Sequence, residues 1–86
     1  MTKNLEITVD REELRGLVAD AIERPPAEVV DDADFISELD LDSLMMLEIV
    51  VRLEKRYRIK VKDEEFAGIT SLNGVYDLVT AKLGGT

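Results

Sequence analysis

From residue 14 onward, apolar residues recur along this chain at helical rather than strand spacing. Leu14, Leu17, Val18, Ala21 and Ile22 fall at i, i+3, i+4, i+7 and i+8, the spacing of one buried stripe on an α-helix. Asp10 followed three positions later by Glu13 has the form of a variant capping box and starts that helix. Pro25 and Pro26 end it, because proline lacks an N–H and pushes the residue before it out of the helical region. Gly16 lies off the stripe and weakens the helix by about 1 kcal/mol relative to Ala. A second helix is expected over Ser43–Tyr57, with Asp42 as N-cap and Glu48 and Arg52 as an i, i+4 ion pair. A short acidic helix over 63–66 follows, stopped by Gly68. Thr70 or Ser71 then caps a last helix striped by Leu72, Val75, Tyr76, Val79 and Leu83, and Gly84-Gly85 releases the tail. Leu5, Ile7 and Val9 alternate weakly, but no second strand pattern is present to pair with them. The expected architecture is therefore all-α: a small four-helix bundle of three main helices and one short one. Residues 1–9 read as an N-terminal tail, 10–83 as the domain and 84–86 as a C-terminal tail.

Two segments depart from this simple pattern. The connection 25–42 exceeds the roughly 12–15 residues above which a loop is usually functional or disordered. It carries Val29, Val30, Phe35, Ile36 and Leu39, so it is expected to be pinned to the core, with Phe35 and Leu39 as anchors. The second helix carries more apolar surface than one stripe requires. Met46, Ile49, Val50, Leu53 and Tyr57 supply the stripe and leave Leu44, Met45, Leu47 and Val51 on another side. Those residues are either buried against a second neighbour or form an exposed apolar strip of the kind that binds proteins. Adjacent methionines suit a surface that adapts to several partners.

Composition narrows the function. An 86-residue chain allows one small domain, near the size where only about 60% of the unfolded surface is buried. At 45% hydrophobic residues it can still bury a core. It has no Cys and no His, hence no disulfide, thiol nucleophile, imidazole base or His-ligated metal. The net charge of −8 argues against nucleic acid and anionic membrane and for basic protein partners. That charge is segregated. Residues 23–48 hold nine acids and one base, whereas residues 52–62 hold six bases and one acid. The first run marks an acidic docking surface around the start of the second helix, and the second complements the dipole at its end. Residues 1–9 lack the apolar run of a signal peptide and nothing approaches a membrane span, which favours a cytoplasmic location.

Ser43 is the residue on which chemistry centres. It follows Asp42 at the first turn of the apolar helix, a position that helix-start chemistry alone explains. A self-activated nucleophile needs a neighbouring base, and there is no His and no nearby Lys, so a catalytic triad is excluded. Asp32, Asp34, Asp40 and Asp42 alternate, but the Gly and terminal Glu of an EF-hand loop are not at the required spacing. Ser43 thus reads as a modification site rather than a catalyst.

The run Glu38-Leu39-Asp40-Leu41-Asp42-Ser43-Leu44, the helix after it, and the segments 59–66 and Ile69-Thr70-Ser71-Leu72 together resemble the acyl carrier protein family. The resemblance covers roughly residues 10–83. It implies that a phosphopantetheinyl transferase places 4′-phosphopantetheine from coenzyme A on Ser43, next to the helix-capping Asp42. The thiol of that arm would hold acyl groups as thioesters, so the protein would be a carrier and not an enzyme. It further implies docking of acyltransferases, ketosynthases and similar enzymes with basic surfaces through Asp40, Leu44, Met45, Leu47, Glu48 and Val51, by a monomer. Within the family pattern, Asp40 stands where many members have Gly. Met45 and Lys55 stand where fatty-acid carriers typically have acids, and Lys62 where Pro is common. These departures point to a stand-alone carrier of polyketide or hybrid biosynthesis. The competing readings are a peptidyl carrier protein, whose Ser usually follows a Gly-rich motif rather than Leu41-Asp42, and an unmodified acidic helical adaptor. An acyl chain is expected to enter the bundle between the second and fourth helices.

Overall fold

The computed structural model describes residues 9–84. They form four α-helices, α1 (Arg11–Ile22), α2 (Ser43–Tyr57), α3 (Asp63–Ala67) and α4 (Leu72–Gly84), with a 3-10 turn at Pro26–Glu28 and no strand among them. Leu5, Ile7 and the last two residues lie outside the described part. Val9, the final residue of the expected tail, is buried against the core.

α2 is the central element. Its buried residues are Met46, Ile49, Val50, Leu53 and Tyr57, the stripe that the spacing predicts. α1 contributes Leu14, Val18, Ala19 and Ile22, and α4 contributes Leu72, Val75 and Val79. Leu17 and Ala21, expected within the α1 stripe, are only partly buried, and Ala19 takes the inward place. α1 is thus rotated slightly toward Ala19, and Ala21 moves to the edge facing the outer side of α2.

The caps explain the element boundaries. The Asp10 carboxylate accepts from the Glu12 N–H at 3.0 Å. Glu13 does not complete the expected capping box; its carboxylate instead accepts from Arg56 at 2.5 Å and ties α1 to the end of α2. α1 stops at Glu23, a non-glycine residue with φ 59°, so the chain has already left the helix before Pro25. Arg24 N–H donates back to the Ala19 carbonyl at 3.0 Å, satisfying an end group. At α4 the choice falls on Ser71, whose Oγ accepts from Gly74 N–H at 3.3 Å. The same helix runs through Gly84, one residue beyond the expected break.

The long connection is held as expected by Phe35 and Leu39, and also by Val29, Ala33 and Leu41, all buried. Val30 and Ile36 are not pinned: they are 53% and 54% exposed. Arg15 of α1 fastens the first part of the loop from outside. Its guanidinium donates to the Val29 carbonyl, to Asp31 at 2.5 Å and to Glu12 at 2.9 Å. Backbone bonds fasten the second part, with Phe35 N–H on the Thr70 carbonyl at 2.8 Å and Leu41 N–H on the Phe35 carbonyl at 2.9 Å. The loop therefore reaches Ser43 as a fixed strap joined to the α3–α4 linker.

Candidate functional site

Ser43 is the first residue of α2 and is exposed. Three local devices place it there. Leu41 is buried and anchors the strap two residues before it. The Asp42 carboxylate accepts from the Met45 N–H at 2.9 Å and its carbonyl accepts from Met46 N–H at 3.0 Å, so the helix begins without fraying. Asp40 adopts φ 59°, a left-handed conformation that costs an L-residue energy and that glycine reaches freely. That conformation explains why a glycine is suited to this position, and why an Asp, which tolerates it better than most residues, is accepted.

Further back, the Asp34 carboxylate accepts from the N–H groups of Ser37 and Ile36, both at 2.9 Å, and Glu38 accepts from the Asp34 N–H at 3.1 Å. The Ser37 N–H foremost holds the Asp34 carboxyl below its ordinary value. The N–H groups of Ser43 and Leu44 have no acceptor within the helix, as at any helix start. An anion bonded to Ser43 would meet those donors and the positive end of the α2 dipole.

Two apolar grooves flank this point. One, of about 230 Å³, lies between α1 and α2 and is lined by Ala21, Leu44, Met45, Leu47, Glu48 and Val51. All five α2 residues expected on the docking side line it, joined by Ala21 of α1. Leu44 is 75% and Leu47 51% exposed, so the second apolar side of α2 faces outward rather than into the bundle. Asp40 and Asp42 are exposed at its Ser43 end. The other groove, of about 210 Å³, contains Ser43 itself, with Ile36, Met46, Phe66, Ala67, Ile69 and Thr70. It opens between α2 and α3 with the α3–α4 linker, not between α2 and α4. Its residues beyond Ser43 escaped the sequence reading, since one exposed Ile in a loop and a five-residue helix carry no signal of proximity to Ser43.

Glu48 is not a free acid. Arg52 donates to it at 2.9 Å and to Asp20 of α1 at 2.7 Å, so one guanidinium serves two carboxylates across the helix pair. The middle of the α2 outer face is consequently nearly neutral and apolar, and at its Ser43 end Asp40 and Asp42 are exposed and have no cationic partner among the described residues. Among the described residues, no group of three or more acids is arranged to hold a metal ion.

Residues 12–79 match the family model described as the phosphopantetheine attachment site. The whole chain is also 52% identical over 86 residues to the polyketide-8 synthase acyl carrier protein 2 of Streptomyces avermitilis, covering 100% of this chain and 99% of that protein. The chain belongs to the acyl carrier protein family. Its fold is also that of the solution structure of oxytetracycline acyl carrier protein, with a TM-score of 0.76 over 92% of this chain and 86% of that one, at 23% identity. A chain in the structure titled the ishigamide ketosynthase/chain length factor superposes with a TM-score of 0.65, at 27% identity, over 86% of this chain and 93% of that one. The cofactor of the family is phosphopantetheine. The residues of the carrier fit it: an exposed hydroxyl at a helix start, two unpaired N–H donors beside it and an apolar groove alongside. Once attached, the group supplies a terminal thiol, which the polypeptide itself lacks. No helix among the described residues is long and apolar enough to cross a membrane.

Proposed function

We propose that this carrier is modified on Ser43 and serves polyketide biosynthesis as a stand-alone cytoplasmic monomer. The observation that carries the assignment is the setting of Ser43, an exposed hydroxyl on a capped helix start between two apolar grooves. In the modification, the Ser43 Oγ attacks the pantetheine-bearing phosphorus of coenzyme A. A new P–O bond forms, the pyrophosphate P–O bond breaks, and adenosine 3′,5′-bisphosphate leaves. The hydroxyl proton goes to a base on the transferase, because this chain has no imidazole and the Asp42 carboxylate is engaged on the Met45 N–H.

The chain's own part is to hold and present. Asp42 keeps the α2 start ordered, and the free N–H groups of Ser43 and Leu44 receive the phosphodiester charge. Asp40 and Asp42 steer basic partners, such as the transferase, acyltransferases and ketosynthases, while Leu44, Met45, Leu47 and Val51 supply apolar contact. Glu48 holds the shape of that face through Arg52 rather than adding charge. Full-length similarity to a polyketide synthase carrier supports the pathway.

The test is intact mass after incubation with coenzyme A and a broad-specificity transferase. A single pantetheinyl addition that is absent in Ser43→Ala is expected. Unmodified wild-type protein, under conditions that load a control carrier, removes the assignment.

A further inference from the structure

The basic run after the middle of α2 does more than complement a helix dipole. Among the described residues, every Lys and Arg outside residues 52–62 lies within 4.0 Å of a carboxylate: Arg11, Arg15, Arg24 and Lys82. Within that run, Arg52 and Arg56 are paired as well, with Glu48 and Asp20 and with Glu13. The described cations that have no carboxylate partner are Lys55, Arg58, Lys60 and Lys62, and all four are exposed. All four fall within residues 55–62, at the end of α2 and in the linker to α3. Among the described residues of a chain of net −8, unpaired positive charge is thus gathered within residues 55–62.

The linker has an alternating build. Ile59 and Val61 are partly buried and pack on the core, while Arg58, Lys60 and Lys62 point outward. Val61 N–H is held by the Glu54 carboxylate at 2.9 Å and Lys62 N–H by Glu65 at 2.8 Å, which fixes the register. Lys60 and Lys62, on the same side of this alternation, stand about 7 Å apart at extended spacing, and Arg58, exposed and in the left-handed conformation that ends α2 (φ 57°), heads the row. Dipole complementation accounts for Lys55 and Arg58, but the effect fades within the last turn and leaves Lys60 and Lys62 unexplained. Asp63 and Glu64 follow at the start of α3 and weaken the field at the Lys62 end.

We propose that this row is a second docking surface, which receives an extended acidic segment of a partner enzyme with carboxylates at alternate positions. It rests on the carrier reading in one respect, that the partner is an acyl-processing enzyme. Arg58 lies fifteen positions after Ser43, the length of α2, roughly 22 Å at 1.5 Å per residue. The carrier then has polarity: an acidic end at Ser43 and a cationic end away from it. A partner with basic and acidic regions at the matching separation accepts it in one orientation only.

The full-length protein, labelled with nitrogen-15, is titrated with two synthetic peptides of equal Glu and Ser content, one alternating and one with its Glu residues contiguous. The expected result is amide shifts confined to residues 55–62 and tighter binding of the alternating peptide. Binding should weaken on raising salt from low levels to about 0.15 M. R58E/K60E should weaken it about tenfold, the product of two exposed ion pairs. Shifts spread over the molecule, equal binding of the two peptides, or an R58E/K60E variant that binds as well as wild type would each overturn the proposal. Tighter binding of a duplex oligonucleotide at the same salt would overturn it in favour of nucleic acid. Concentration-dependent self-association abolished by R58E/K60E would overturn it in favour of a second copy of this chain. Transferase modification of Ser43 is measured on the same variant and should be unchanged. Failure of wild-type modification removes the carrier reading, whereas failure of peptide binding removes only this surface.

Discussion

Replacing Asp42 separates the two things this side chain does. Its carboxylate accepts from the exposed Met45 N–H at 2.9 Å, and its charge lies at the positive end of the α2 dipole. Asp42→Ala removes both. Loss of an N-cap acceptor costs about 0.5–2 kcal/mol, typically near 1. Asp42→Asn keeps an acceptor oxygen, and Asn ranks with Asp as a cap, so only the charge–dipole part is lost, about 0.3–1 kcal/mol at low salt. In urea unfolding followed by circular dichroism, with a slope of about 1 kcal/mol per molar for a chain of this size, Asp42→Ala should lower the midpoint by roughly 1 M. Asp42→Asn should lower it by less than half of that in moderate salt. The functional order differs. Both variants lose the charge that steers a basic transferase, so both should slow Ser43 modification at low salt, with the gap to wild type narrowing as salt rises. Equal loss of stability in the two variants would show that the hydrogen bond is not what starts α2. Unchanged modification rates in both at low salt would remove Asp42 from the docking surface.

Three further outcomes follow from the same geometry. Phe35 is fully buried and anchors the strap that ends at Ser43, so Phe35→Ala should cost about 3–5 kcal/mol. That is a large part of the roughly 4–13 kcal/mol expected for a domain of this length, and a melting temperature within a few degrees of wild type would refute it. Asp40→Gly relieves a left-handed residue while loosening the unfolded chain, so stability should stay within about 1 kcal/mol of wild type, whereas β-branched Asp40→Val should be clearly destabilised. Equal denaturation midpoints for Gly and Val would show that the conformation at residue 40 is not a constraint. Glu65 is held below its ordinary value, first by the Lys62 N–H and then by Lys82. Its contribution is therefore complete above the ordinary carboxylate range and is lost as pH falls through the depressed folded value. Glu65→Gln should be less stable than wild type at pH 7, and that difference should shrink as pH falls below the ordinary carboxylate range and close below the depressed folded value. A difference that grows with acidification would contradict this sign.

Much of the site was legible because its signals are local. Asp42 as cap, Ser43 as first residue and the stripe Met46, Ile49, Val50, Leu53 and Tyr57 all follow from spacing of one helix with itself. The surplus apolar side of α2 was visible too, but its outward orientation was not, since exposure depends on where α1 and α4 pack. Glu13 shows the limit of a local motif: the capping-box pattern is present, yet Arg56, 43 positions away, offers a charged partner and takes the carboxylate. Val30 and Ile36 show the same limit for hydrophobicity, because an apolar residue in a loop is buried only if the strap turns it inward.

Sequence alone determined the helical class, the Asp42 cap that starts α2, the segregation of charge and the place of Ser43 at the helix start, since each depends on neighbours within a few positions. Tertiary structure decided how that charge is spent. Arg52 joins Asp20 to Glu48 and withdraws Glu48 from the acidic face, while Lys55, Arg58, Lys60 and Lys62 find no carboxylate among the described residues. It also set α3 and Ile36 beside Ser43, forming a groove from segments far apart in the chain. Pairing of charges and closure of grooves depend on distances between elements, and packing of the core sets those distances.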